Sequence, residues 1–184
     1  LDNALVTRLR EVAGRVVLVE QGPRYSRLGQ DRFAINPEHA GDYARLGEAL
    51  QEASLDSLNV VHLWGSATGT AEDLAAFDAL DDQNALGEFQ ARVCDGPQSV
   101  ARVVRDVLQP LGKVVHSLRL ITAQAQVVDD TECLDPAASA LNGLLRVIAR
   151  ERHGLTCQVI DVDLDLEVTR NVENLVAEFS AGEC

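Results

Sequence analysis

Residues 59–73 read NVVHLWGSATGTAED and hold the arrangement most suggestive of chemistry. An apolar run, Asn59 to Trp64, is followed at once by glycines at 65 and 69. A glycine turn between strand and helix lets backbone N–H groups close on a pyrophosphate at a helix N-terminus. The spacing here matches neither G-x-G-x-x-G nor the phosphate loop G-x-x-x-x-G-K-[ST]. Glu72 and Asp73 follow directly, where they repel phosphate. An earlier turn, EQGPRYSRLG, sets Gly22 beside Pro23 and opens no helix. The loop Gly65–Thr70 therefore reads as a flexible strand exit, with no nucleotide expected on it.

Other reactive groups lack partners at useful spacing. Delivering a proton to a carbonyl during hydride transfer calls for Tyr-x-x-x-Lys, which puts both groups on one helical face. The two tyrosines, Tyr25 and Tyr43, have Gly29 and Gly47 at that offset, and the single lysine is Lys113. The acid pairs Asp81-Asp82 and Asp129-Asp130 read as solvated faces. DVDLDLE (161–167) alternates acids but lacks the Gly and distal Glu of a calcium loop, so it reads as a strand end with outward acids. Cys94, Cys133, Cys157 and Cys184 form no C-x-x-C pair and are expected to be reduced thiols in a cytoplasmic protein. His62, inside an apolar run, reads as a hydrogen-bonded core or edge histidine. G-x-S-x-G is absent. No catalytic, cofactor-binding or metal-ligating residue is assigned.

The elements that would position these groups follow from periodicity. Leu1, Leu5, Leu9 and Val12 fall at helical spacing, and Gly14 ends that helix. Arg15–Glu20 reads as a buried strand, and the next stretch, to Pro37, as a loop. Asn36-Pro37 then opens a helix with Tyr43, Leu46 and Leu50 on one face. Residues 58–64 form a second strand. Residues 70–92 read as an acidic excursion with a helix around Leu74 and Phe77. Ser99 is expected to cap a helix carrying Val100, Val103, Val104, Val107, Leu108 and Leu111. Ser117–Gln124 forms a third strand. Asp135-Pro136 places an N-cap acid before a proline at the first helical position. Its helix aligns Ala137, Leu141, Leu144, Leu145 and Ile148. Thr156–Val162 is a fourth strand, and Val172, Leu175, Val176 and Phe179 mark a last helix.

Strands alternating with helices imply right-handed crossovers and a parallel sheet covered on both faces. The expected fold is one three-layer, truncated Rossmann-like α/β domain over residues 1–184, with a mainly parallel sheet. The core must be aliphatic, since only 4% of residues are aromatic. A formal charge of −13 argues against nucleic acid and anionic lipid as partners. No apolar run approaches the roughly 18 residues of a membrane span. The first residues lack both a secretory apolar stretch and an initiator Met, so a piece of a longer chain is expected.

Several blocks together resemble one family. RVVLVEQG, AINPEHAGDYARLGEAL and NVVHLWG, then LRLITAQAQVV and DPAASALNGLLRVIARERHGLTCQVIDVDL, resemble the structural subdomain of ketoreductases in modular type I polyketide synthases. The helix Gly143-Leu144-Leu145-Arg146-Val147 runs into Glu151-Arg152-His153 and the strand Val159-Ile160-Asp161, as in that family. Gly154 stands where a Pro is common. The resemblance covers roughly residues 15–165. It implies the first of two short-chain dehydrogenase/reductase-like folds in tandem. The second half binds NADPH, carries a Ser-Tyr-Asn set and reduces a β-keto acyl thioester held on a carrier protein. The first half buttresses it without cofactor or catalysis. Leu141 falls near the position of the catalytic Tyr and Leu145 near that of the Asn. An expected strand before the first helix is not visible and is either left out or supplied from elsewhere. The resemblance also implies neighbouring synthase domains, such as an inserted enoylreductase, a dehydratase or a methyltransferase. A degenerate ketoreductase acting as scaffold for such a neighbour is the alternative.

Overall fold

Aliphatic runs flanked by amphipathic helices build a three-layer α/β arrangement in the computed structural model, which describes residues 2–66, 82–126, 134–163 and 166–181. The chain opens with helix α1 (Asp2–Val12), followed by strands β1 (Leu18–Gln21), β2 (Ser26–Gly29) and β3 (Arg32–Ile35). Helix α2 (Ala40–Glu52) leads to β4 (Leu58–His62) and a 3-10 turn, Trp64–Ser66. A helical run follows: α3 (Asp82–Val93), a π-turn (Cys94–Gln98), α4 (Ser99–Arg102), a second π segment (Val103–Leu108) and α5 (Gln109–Leu111). Then come β5 (Val115–Ala123), α6 (Pro136–Glu151), β6 (Thr156–Val162) and α7 (Val168–Ala181).

The parallel sheet expected from the alternation is present as β4-β5-β6, with β5 central. Every β5 residue from Ser117 onward is buried, as a central strand covered by helices on both faces must be. The first strand does not join this sheet. β1 pairs in parallel with β3, and β2 pairs antiparallel with β3, giving a separate three-stranded sheet in the order β1-β3-β2. The β2–β3 hairpin lies in the stretch read as loop. Its strands are only four residues each, so they carry no apolar alternation long enough to register. Phe33, Ala34 and Ile35 are nevertheless buried.

Two apolar clusters flank the strands. One joins α2, the helical run and α6 to one face through Tyr43, Leu46, Val107, Leu118, Leu120 and Leu145. The other joins α1 and α7 to the opposite face through Leu5, Ile121, Val162, Leu175 and Phe179.

Several boundaries differ from expectation. β1 begins at Leu18 rather than Arg15. Asn36-Pro37 precedes α2 by a turn instead of opening it. There the Glu38 N–H donates to the Asn36 side-chain oxygen at 2.9 Å, and Asp42 serves the first turn. Burial pushes the Asp42 carboxyl up. Bonds from the Asn36 N–H (3.0 Å), His39 Nδ1 (2.9 Å) and the Tyr25 backbone outweigh it and hold the group below the ordinary carboxylate range. Ser99 is not a cap, because the helical run is already under way at Asp82. Residues 82–92 of the acidic excursion are helix. The rest of that excursion, with Leu74 and Phe77, lies outside the described residues. Asp135 does cap α6, accepting from the N–H groups of Ala137 (2.8 Å) and Ala138 (3.3 Å).

Candidate functional site

In a parallel α/β sheet, ligands bind beyond the carboxyl ends of the strands. At the carboxyl end of β4 stands Gly65, which is buried. A Cβ placed on Gly65 would lie 2.6 Å from Leu141 Cδ1 and 3.7 Å from the Ile121 carbonyl. The Leu141 methyl thus rests directly on the Gly65 backbone, and it also lies near Gly96. Leu141 is 0% exposed and Leu145, one turn on, is buried in the same core. Helix α6 presents both because Asp135 and Pro136 start it in the register that turns Ala137, Leu141, Leu145 and Ile148 inward. Residues 67–70, the remainder of the glycine loop, lie outside the described residues.

The carboxyl ends of β5 and β6 are also tied down by protein groups. Asp161 accepts from the Thr122 hydroxyl (2.9 Å) and from the N–H groups of Ala125 and Gln126 (both 3.1 Å). The acid read as pointing outward from a strand end instead pins the loop after β5. The Ser139 hydroxyl donates to the Ala125 carbonyl at 2.7 Å, joining that loop to α6. Gln124 takes a φ of 57°, a left-handed conformation uncommon outside glycine, within this bonded turn.

A buried polar chain starts from His62, the last residue of β4. His62 Nε2 is 2.9 Å from Ser99 Oγ, and the Tyr43 hydroxyl is 3.2 Å from both Ser99 Oγ and the Pro37 carbonyl. Arg102 donates to the same Pro37 carbonyl and stacks over the Tyr43 ring. Burial lowers the His62 pKa from 6.5 to about 4, so the imidazole is neutral. Burial likewise raises that of the Tyr43 hydroxyl. Ser99 and Tyr43 are each 0% exposed, so this Ser–His pair faces core rather than substrate. The expectation that His62 is a hydrogen-bonded core histidine is met. Its link to Ser99, 37 residues away, left no trace in local spacing.

The other weighed groups do not converge. Tyr25 packs near Phe33 and under Arg45 in the β1–β3 region. Lys113 is exposed in the turn before β5, at the amino end of the parallel sheet and opposite Gly65. Cys94 and Cys157 are free, and burial raises the pKa of both thiols. Cys133, Cys184 and the acids Asp81, Asp129 and Asp130 lie outside the described residues. Among the described residues, no three His, Cys, Asp or Glu side chains gather as a metal site, and no helix is long and apolar enough to cross a membrane.

The chain is similar in fold to three solved structures. The first is described as an adenylation, ketoreductase and pseudo Asub multidomain structure of a keto acid-selecting NRPS module. It superposes with a TM-score of 0.77 at 20% identity over 96% of this chain and 14% of its own. The second, an N-terminal ketoreductase from the macrolactin assembly line, gives 0.72 at 13% identity over 97% of this chain and 34% of its own. The third is a short-chain dehydrogenase/reductase family oxidoreductase, described as putative, from Aeromonas hydrophila subsp. hydrophila ATCC 7966. It gives 0.57 at 18% identity over 96% of this chain and 85% of its own. The fold is therefore the α/β fold of short-chain reductases and of ketoreductase regions in modular synthases, and the chain spans only a fraction of the first two. No curated protein matches the sequence. Residues 1–181 match the family model described as Beta-ketoacyl synthase-like, N-terminal, and the chain belongs to that family.

Proposed function

We propose that this chain is the non-catalytic structural subdomain of a modular polyketide synthase ketoreductase. It stabilises an NADPH-binding partner half that reduces a β-keto acyl thioester on a carrier protein. The observation that carries this reading is Leu141. By the resemblance, the side chain nearest the position of a catalytic Tyr is a leucine, and the structure has it buried and seated on Gly65 at the carboxyl end of β4. The space that serves chemistry in this class of fold is used here for packing.

The similarity to ketoreductase regions of multidomain chains supports the partnership. A surface suited to it lies on α6, where Ala140, Gly143 and Val147 are exposed at i, i+3 and i+7. Val147 is 51% exposed, and a Cβ on Gly143 would meet nothing within 4 Å. Leu86 and Phe89 on α3 are exposed as well. Small and apolar residues at one helical spacing let a partner helix approach closely.

Titrating NADPH into the purified chain tests the reading. No saturable binding is expected, and low-micromolar affinity overturns it. Adding the chain to the isolated catalytic half should raise that half's melting temperature, as any ligand of the folded state does.

A further inference from the structure

The formal charge of the chain is −13, yet one sheet carries a basic patch. Between Gly22 and Ile35 stand Arg24, Arg27 and Arg32 against a single acid, Asp31. Asp31 is already paired with Arg15, and Arg32 with Glu20. Asp42, on the neighbouring α2, is taken by His39, the Asn36 N–H and the Tyr25 backbone. Arg24, Arg27 and, on α2, Arg45 are exposed. Among the described residues, no carboxylate pairs with any of the three.

Two of these guanidinium groups are held by rings. That of Arg27 lies 5.7 Å from the centre of Phe33, and that of Arg45 lies 6.0 Å from the centre of Tyr25. The two rings are themselves 6.4 Å apart, so one cation stands over each member of an aromatic pair. Stacking restrains long side chains, which then have less rotamer freedom to lose on binding.

The strand beside them has a free edge. β2 is the last strand of its sheet and bonds to β3 alone. The ladder decides which of its backbone groups face outward. The Asp31 and Ile35 carbonyls point toward β1, where they accept from the Leu18 and Gly22 N–H groups at 2.9 and 2.8 Å. Phe33, midway between them, faces β1 as well, so Ala34 faces β2. Ala34 is therefore hydrogen-bonded to its partner Ser26, and the next residue, Arg27, turns its N–H and C=O outward. The Arg27 side chain makes only a long contact, from Nε to the Gly29 carbonyl at 3.4 Å. Open backbone and uncompensated charge thus meet on one edge.

An open strand edge calls for another strand, and its charge selects which one. Two copies of β2 laid edge to edge would bring like arginines together, which disfavours self-pairing. A nucleic-acid duplex or an anionic bilayer carries charge over long distances and is repelled by the net −13. A short acidic strand meets the arginines inside a Debye length of about 8 Å, where remoter acids are screened. The register shift between Arg27 and Gly29 ends the ladder there, so only a short segment fits.

We propose that the outer edge of β2 docks an extended acidic segment of a partner protein. The segment adds as a further strand and sets carboxylates against Arg24, Arg27 and Arg45. The surface is distinct from the exposed face of α6, and its chemistry does not depend on the proposed function.

Amide exchange and NMR titration test it, using the chain and a blocked peptide of about seven residues that alternates Glu and Val. The Arg27 amide is expected to shift saturably and to exchange about ten-fold or more slowly with peptide bound, as a newly paired strand requires. Arg27→Glu and Arg45→Glu, each at an exposed position that leaves the fold intact, should each weaken binding about five-fold or more. N-methylating alternate peptide amides keeps the charge but removes the ladder, and should weaken binding at least as much. Absence of a saturable shift overturns the proposal. So does equal affinity for a peptide alternating Gln and Val, or binding indifferent to N-methylation. Tighter binding of heparin at the same amides, assigning the patch to an extended polyanion, also overturns it. Slowing of Arg27 exchange with concentration and dimer mass in the absence of peptide, assigning the edge to a second copy, does so as well.

Discussion

Strand β4 borders two regions that contrast in every physical respect. Its carboxyl end, where an α/β enzyme keeps its ligand, is closed by a leucine methyl resting on a glycine. Its lateral edge, where such a fold would normally continue, is open onto a cleft of about 650 Å³. A reductase scaffold has the opposite distribution: a continuous sheet and a vacant carboxyl end. The comparison teaches that, among the described residues, side-chain packing occupies the carboxyl end of β4 while its lateral edge stays unpaired.

The contrast can be broken first at its closed end. Leu141→Ala removes a fully buried side chain from rigid surroundings, so unfolding free energy measured in urea should fall by about 2–5 kcal/mol. Leu134→Ala, with its leucine 44% exposed, should shift stability by less than about 0.5 kcal/mol. Comparable losses for the two would show that Leu141 is no plug.

The buried polar chain at the end of β4 offers a second, slightly smaller effect. His62 has a folded pKa of about 4 against an ordinary 6.5, so between those values the unfolded chain binds the extra proton. Stability contributed by the neutral imidazole is complete above pH 6.5, declines as pH falls, and is gone below about 4. The full loss is about 3 kcal/mol. Protonating surface acids relieves the −13 charge over part of the same range and works in the opposite sense. The readout is therefore a difference. His62→Asn should lose less stability than the parent does as pH falls from about 7 to about 4.5, and parallel pH curves would contradict the assignment.

A third measurement sharpens the contact itself. Gly65→Ala sets a Cβ 2.6 Å from Leu141 Cδ1, and overpacking of this kind costs about 1–3 kcal/mol. In the Leu141→Ala background that obstacle is gone. The double mutant should be more stable than the sum of the single losses predicts, by about 0.5–3 kcal/mol, the usual range for touching residues. Strict additivity would place the two groups apart.

How much of this was legible beforehand varied with the range of the interaction. The Asp135-Pro136 helix start, β6 and the apolar faces of α6 and α7 are local patterns, and the chain folds as they dictate. The start of the helical run was missed because Ser99, standing just before an apolar-periodic stretch, reads as an N-cap. In the structure a π-turn over Cys94–Gln98 absorbs Pro97, whose missing N–H a regular ladder would need. The β2–β3 hairpin was missed because strands of four residues carry too little alternation. Leu141 falls near the position of a catalytic Tyr by resemblance alone. That it packs on Gly65, far away in the chain, is a long-range fact that no window of sequence holds. The split into two sheets is also long-range, because it depends on what is not adjacent to β4. The expectation of a strand before α1 came from the family resemblance alone.

The smallest expected effect on folding tests the outer face of the same helix that carries the plug. Leu141 and Leu145 point inward from α6, while Ala140, Gly143 and Val147 point to solvent. Val147→Asp places a charge on a position already 51% exposed, so stability should change by less than about 0.5 kcal/mol. If α6 is the docking face for a catalytic half, the same substitution buries an unpaired carboxylate in the assembled interface. Binding should then weaken by about ten-fold or more, since each step of about 1.4 kcal/mol is a factor of ten in affinity. Leu28→Asp, on the separate β1-β3-β2 sheet and 52% exposed, serves as the matched control, with binding expected to be unchanged. Equal losses from both would indicate a nonspecific response to added charge. A loss only from Leu28→Asp would move the partner to the other sheet and leave α6 as a helix that is merely solvated on that side.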